Sequence, residues 1–245
     1  ETKKPGAIRR QVSFCEAVYD KEITIEGVKA RLITSLDEMD EVIKHGVVPV
    51  IVDPKGESIA KLRPDIVVDA IIAKKNLGTF MDMAPLVIGV GPGFTAGEDV
   101  DIVVETMRGH NLARIIDKGQ ALVNTGIPGN IGGYTSERVI HAEAYGFIKN
   151  ICHIGDVVKK GDEIARIYEK YDNNTSESGF QGEYVPVNAT ISGIIRGLIR
   201  DGFEVTEGFK IADIDPREGE LKNCFTISDK SRSIGGSVLE AVCSY

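Results

Sequence analysis

A glycine-punctuated motif occurs twice between residues 139 and 214, and this duplication constrains the fold more than any other feature of the chain. Setting Gly155 against Gly202 brings Val158 onto Val205, Gly161 onto Gly208, Ile164 onto Ile211, Ala165 onto Ala212 and Ile167 onto Ile214. The same offset pairs Ala142 with Ala189, Gly146 with Gly193, Ile148 with Ile195 and Lys149 with Arg196 upstream. Glycines at fixed spacing suit tight turns that need positive φ, and the β-branched residues between them supply the apolar face of short strands. One copy alone leaves half its core exposed, whereas two can close on each other. The repeat therefore predicts a duplicated all-β module.

The first hundred residues have another texture. Glu22 to Ile33 alternates apolar and polar residues around Glu26-Gly27, the pattern of a β-hairpin. Ser35, with Glu38 three residues on, opens a capped helix that Gly46 closes. Continuous apolar runs at Val47–Val52, Asp65–Ile72 and Leu86–Val90 read as strands covered on both faces, with a short helix over Ser58–Leu62 between them. Strands alternating with helical segments predict an α/β layer with a largely parallel sheet. Beyond Asp101 short glycine-separated runs replace helices, and Gly126 to Gly133 reads as a long loop.

A net charge of −8 argues against nucleic acid or an anionic membrane surface as partner. No apolar run reaches the length of a membrane span, so the chain is expected to be cytoplasmic. Cys15, Cys152, Cys224 and Cys243 form no C-x-x-C pair and the four histidines no clustered motif, so no metal site is expected. The free cysteines read as small buried residues.

The most suggestive chemistry is the loop after Leu86-Val87-Ile88, where Gly89, Gly91, Gly93 and Thr95 can turn backbone N–H groups toward an anion at the end of a strand. Pro92 removes one donor and the spacing fits neither G-x-G-x-x-G nor a P-loop, so a structural turn stands beside the phosphate cradle as a reading. Arg108 and His110, with Asn124 and Thr125, place polar groups beside glycines in loops, as anion or pterin contacts or as ordinary turn residues. Cys15 is a candidate sulfur or selenium carrier, although no neighbouring histidine or lysine lowers its pKa.

Two resemblances add to this reading. The repeated G-x-x-V-x-x-G-x-x-I resembles the biotinyl and lipoyl carrier family, which implies a barrel-sandwich hybrid; Lys170 lies near the place of the carrier's modified lysine, but the flanking motif is absent and Tyr171 to Glu183 lengthens the connection. The phrases PGAIRRQVSFCEAVYD, VIGVGPGFTAGEDVDIVVETMRGH, NTGIPGNIGGYTSERV, GLIRDGFEVTEGFKIADIDPR and TISDKSRSIGGSVLEA are similar to the accessory proteins of the selenium-dependent molybdenum hydroxylase system. That resemblance implies a maturation factor for enzymes of the xanthine dehydrogenase type. It would bind a nucleotide or molybdopterin-type cofactor, the molybdenum hydroxylase itself or another maturation protein, and homo-oligomers are compatible with it. It also implies a strand and a G-x-G-D-L-A type turn upstream of Pro5, which the given sequence does not contain.

The expected fold class is α/β, a Rossmann-like N-terminal layer without its first strand, plus a C-terminal all-β barrel-sandwich hybrid built from the repeat. The expected boundaries are 1–115 for the α/β domain, 116–138 for a glycine-rich connection, 139–217 for the duplicated module and 218–245 for a segment that packs back on the α/β domain. Whether the chain is an enzyme stays open. The rivals to a maturation factor are a sulfur- or selenium-transfer or nucleotide-dependent enzyme and a carrier modified at Lys170.

Overall fold

The computed structural model describes residues 1–126, 129, 131–172, 179–217 and 219–245 of the protein. The long loop expected over Gly126–Gly133 and the connection over Tyr171–Glu183 each lie partly outside the described residues. The chain forms two units, Glu1–Pro54 with Pro128–Thr226 and Lys55–Ile127 with Ile227–Tyr245.

In the first unit the two copies of the motif interlock. One four-stranded antiparallel sheet runs in the order Val139–His141, Lys210–Asp215, Gly193–Leu198, Val157–Val158; the other runs Phe180–Asn188, Glu163–Tyr171, Gly146–Asn150, Glu204–Val205. Each sheet takes its two central strands from one copy and its outer strands from the other, so neither copy can be completed alone. The inward residues form one cluster in which Ile148, Ile164, Ile195, Ile211 and Ile214 are fully buried. Gly146 and Gly193, at equivalent positions, show why the motif needs glycine. A Cβ would stand 2.4 Å from the Tyr168 carbonyl oxygen at the first and 2.3 Å from that of Asp215 at the second.

Residues 1–54 belong to the same unit. The hairpin Glu22–Ile25/Val28–Ile33 turns through Glu26 and Gly27, both at positive φ, and pairs in parallel with Val48–Ile51. Ser35 and Glu38 form the expected capping box ahead of helix Met39–Lys44. Upstream, Pro5 to Asp20 lies along the outer face of the second copy. The Leu198 N–H donates to the Ile8 carbonyl at 2.8 Å and Arg10 Nε donates to the Leu198 carbonyl at 2.8 Å. Arg200 grips Glu16 and Asp20 at 2.8 and 2.6 Å while stacking on Tyr19. The opening PGAIRR phrase is thus a strap over the second repeat.

The second unit holds three parallel strands, Ile66–Asp69, Leu86–Val90 and Ile102–Val104, with Ile115–Ile116 antiparallel at the edge. Helix Asp229–Ser244 lays Ile234, Val238, Ala241 and Val242 against Leu86, Ile88 and Val104. Its N-cap is Ser228, whose hydroxyl accepts from the Ser231 N–H.

The expected Rossmann-like layer followed by a barrel-sandwich hybrid is therefore not the architecture. Among the described residues there are several small sheets, one of three strands, three of four and one of two, with parallel and antiparallel pairings among them. Val48–Ile51 sits in a different sheet and a different unit from Leu86–Val90. A doubly wound layer needs a helix between successive parallel strands. The links from Asp69 to Leu86 and from Val90 to Ile102 carry Gly78, Pro85, Gly91, Pro92, Gly93 and Gly97 and contain only a 3₁₀ turn and a two-residue strand. Of the three runs expected to be buried on both faces, only Leu86–Val90 is; Val48 and Val68 are exposed.

Candidate functional site

In open parallel sheets, ligands bind at the carboxyl ends of the strands, where loops diverge. At that edge of the second unit the loops after Asp69, Val90 and Val104 meet. The flanking strands carry the same short phrase, Asp65-Ile66-Val67-Val68-Asp69 and Asp101-Ile102-Val103-Val104-Glu105. The closing carboxylate does the same work in both. Asp69 accepts from the Ile71 N–H at 3.0 Å and from the Thr79 hydroxyl at 2.6 Å. Glu105, 2 % exposed, accepts from the N–H groups of Met107 at 2.6 Å and Leu122 at 2.7 Å. Both acids are thus buried and engaged in shaping loops.

The glycine loop is built for packing. The Gly91 N–H donates to the Val104 carbonyl at 2.8 Å, that of Thr95 to the Asp99 carboxylate at 2.9 Å and that of Gly97 to the Val100 carbonyl at 2.8 Å. The Thr95 hydroxyl accepts from Gln120. A Cβ at Gly89 would meet the Phe94 ring at 2.6 Å, and one at Gly91 would stand 2.9 Å from Thr106 Oγ1. At Gly93 it would lie 2.6 Å from the Lys75 Cα. Absence of a side chain at Gly93 lets loop 70–80 lie directly on the turn. Of the cradle's donors, those of Gly91, Thr95, Gly97, Glu98 and Asp99 are spent within the protein.

Loop 70–80 is itself unusual, because Ile72 and Lys74 adopt positive φ, costly for a β-branched residue. It presents Lys74 and Lys75 at the surface. Arg108, in the loop after Glu105, makes a bidentate pair with Asp229 at 2.8 and 2.9 Å, which fixes its guanidinium beside the start of the long helix. Lys230 follows Asp229 and is half-buried. Burial and then Arg108 and Lys74 push its ammonium below the usual lysine range, against the opposing pull of Glu105 and Asp229. His110, Asn124 and Thr125 are exposed; Leu122, held by Glu105, brings the stretch before Asn124 to this edge. Sequence reasoning thus found Arg108 and the glycine loop but missed Lys74, Lys230 and the two loop-shaping acids.

Cys15 belongs to the first unit. Burial first, then Glu1 and Glu16, push its thiol up to about 12. A thiolate nucleophile needs the reverse shift. Among the described residues no group of three or more histidine, cysteine, aspartate or glutamate side chains is placed to hold a metal, and no helix is long and apolar enough to cross a membrane. A cavity of about 700 Å³ lined by Ile59, Arg63, Pro64, Met81, Met83 and Asp101 opens at the opposite edge of the sheet, where the strands begin. It lacks converging cations, and Asp101 is engaged by the Val87 N–H at 2.7 Å.

No family model matches the chain. It is 49% identical over 242 residues to the uncharacterised protein YqeB of Escherichia coli K12, and that match covers 99% of this chain but 42% of the relative. The chain therefore spans about two fifths of the length of the curated relative it matches. Solved structures give weaker likenesses. An aspartoacylase family protein from Mesorhizobium loti shares 14% identity over 34% of this chain and 24% of its own, with a TM-score of 0.27. The product-bound ectoine utilization protein EutE from Ruegeria pomeroyi shares 18% over 42% and 28%, also at 0.27. Scores of this size carry no reaction across to this chain. Nothing in these comparisons ties the chain to the expected selenium and molybdenum system, and the curated relative is uncharacterised.

Proposed function

We propose that this chain is an accessory protein that acts by binding, holding an anionic ligand of the nucleotide or phosphorylated-cofactor class at the carboxyl edge of its parallel sheet for a partner protein under maturation. The convergence of Lys74, Arg108 and Lys230 on that edge is the observation that supports the reading. In a chain of net charge −8 these cations stand where Asp69 and Glu105 are engaged by backbone N–H groups and Asp229 is held by Arg108. A phosphate would offset the burial and, after it, the mutual repulsion that together hold the Lys230 ammonium down. The raised thiol of Cys15 favours binding over sulfur transfer.

Equilibrium titration with ADP tests this. Arg108→Ala should weaken binding about tenfold, the size of one charge-assisted hydrogen-bonded contact. Binding should also fall as pH rises through the depressed Lys230 value, a dependence that Lys230→Met removes. ADP affinity that is indifferent to both substitutions would refute the site. In the free protein the sign reverses: a lysine held below its unfolded pKa opposes folding while the unfolded chain keeps the proton. Lys230→Met should therefore raise the melting temperature at pH 7 by roughly 2 °C, a gain that shrinks as pH rises through the lysine range.

A further inference from the structure

The outer face of the second repeat, in the first unit, holds a group of charges whose hydrogen bonding is incomplete. Asp213 accepts from Arg138 Nη1 at 2.5 Å and has Arg196 Nη1 on its other oxygen at 3.9 Å. The side chains of Arg138, Arg196 and Asp213 are 9 %, 13 % and 7 % exposed. Arg9 of the N-terminal strap reaches the same place, donating one nitrogen to the carbonyls of Asn223 and Thr226 at 3.0 and 3.1 Å. Burial lowers its pKa and Arg196 lowers it further, so these guanidinium groups repel one another across the cluster. Asp215, the other buried acid, is committed to Arg217 through contacts of 2.9 and 2.7 Å. Three guanidinium groups thus surround one carboxylate, and among the described residues the buried Nε atoms of Arg9, Arg138 and Arg196 have no hydrogen-bond partner.

Buried donors normally find acceptors, and a buried cation without a counter-charge is costly. The backbone adds a second, independent indication. In the first copy Lys149 faces Arg166 in an unbroken register. In the second copy the register slips between Ile195 and Gly197, so Gly197 faces Asp213 and Arg196 is left as the extra residue of a bulge. Bulges re-aim side chains, and they occur beside sites. Gly197 also admits the strap, since a Cβ there would stand 3.2 Å from the Ile8 carbonyl oxygen.

We propose that Arg9, Arg138 and Arg196 form a binding site for a tetrahedral oxyanion of the phosphate or sulfate class, with the bulge at Arg196 and the strap bearing Arg9 as its two walls. A planar guanidinium suits such an anion, and one ion with several acceptor oxygens can serve all three orphaned donors. The site lies in the other unit from the nucleotide-class edge and rests on different residues.

The test is a thermal melt of the full chain with low-millimolar potassium phosphate, sulfate, acetate or chloride at matched ionic strength. Phosphate and sulfate should raise the melting temperature by about 2–4 °C along a saturating curve, and acetate and chloride should not. Arg196→Met should abolish the rise, while Lys230→Met, at the other site, should retain it. Should Arg196→Met fail to fold by circular dichroism, Arg9→Met on the half-exposed strap takes its place with the same expectation. A rise that is linear in salt, shared by acetate or undiminished in the arginine variant would overturn the proposal, because general salt exclusion would then explain it.

Discussion

The two repeats share an interior and differ on the outside. Inward, the pairs Ile148/Ile195, Ile164/Ile211, Ala165/Ala212 and Ile167/Ile214 are all buried in one core. Outward, Lys149, Arg166 and Tyr168 of the first copy correspond to Arg196, Asp213 and Asp215 of the second. The first set lies on an open face, where Arg166 stacks on Tyr184 at 4.5 Å, Lys149 on Phe180 at 5.3 Å, and the Tyr168 ring packs beside both aromatic rings. The second set is roofed by the strap and by the turn Leu221–Cys224, and it carries ions where the other carries rings. Duplication supplied a core that needs both halves, and divergence of the covered face turned one half toward charge.

The sharpest way to break this comparison is at Asp213. Asp213→Ala leaves Arg138 and Arg196 without their carboxylate and should cost about 3–5 kcal/mol in chemical denaturation. The counterpart Arg166→Ala, on the exposed face, should leave the midpoint almost unmoved. Equal losses at the two positions would show that the faces are energetically alike. Next in size, Ile214→Ala and Ile167→Ala should each cost about 3 kcal/mol, within the range for emptying an isoleucine site in a packed core. A large inequality between them would mean that the shared interior is not evenly loaded.

The smallest effect concerns acid. Burial alone would raise the Asp215 carboxyl, but hydrogen bonds from the Arg217 side chain and backbone outweigh it and hold it below the usual aspartate value. A depressed carboxylate stabilises the fold fully above its unfolded pKa of about 3.9, and that contribution disappears as pH falls through the folded value. Asp215→Asn should therefore be less stable than the parent at pH 7, and the gap should close below about pH 4 in urea denaturation series. The first copy offers no such dependence at this position, because Tyr168 stands there.

Local signals in the sequence were legible wherever neighbours in the chain decide structure. The Glu26-Gly27 hairpin, the Ser35/Glu38 cap and the Leu86–Val90 strand all follow from residues within a few positions of one another. Grouping was not legible. Nothing in Pro5 to Asp20 announces that it straps a strand beginning at Gly193, and nothing in Val48–Ile51 announces that it leaves the sheet of Leu86–Val90. The candidate edge divides the same way. Arg108 and the glycine loop stand out in their own windows, whereas Lys230 joins them only through a helix that begins 121 residues after Arg108. The repeated D-I-V-V-[DE] phrase was a local signal for Asp69 and Glu105, readable as two strands that end in a carboxylate folded back on its own loop.

The chain passes between its two units three times, and this bears on the order in which they can mature during synthesis. The sheet of residues 66–116 exposes Leu86, Ile88 and Val104 until Val238 and Ala241 have left the ribosome, and the second repeat waits for no later segment than Cys224. The Arg10 contact to Leu198 likewise closes a span of 188 residues. Long closures of this kind slow folding and prolong the life of sticky intermediates. The repeat-bearing unit can thus settle first, while the proposed ligand edge waits for Asp229 and Lys230, which are made after the last core residue of the repeat. A nascent chain would gain its proposed cargo site only after its scaffold had formed.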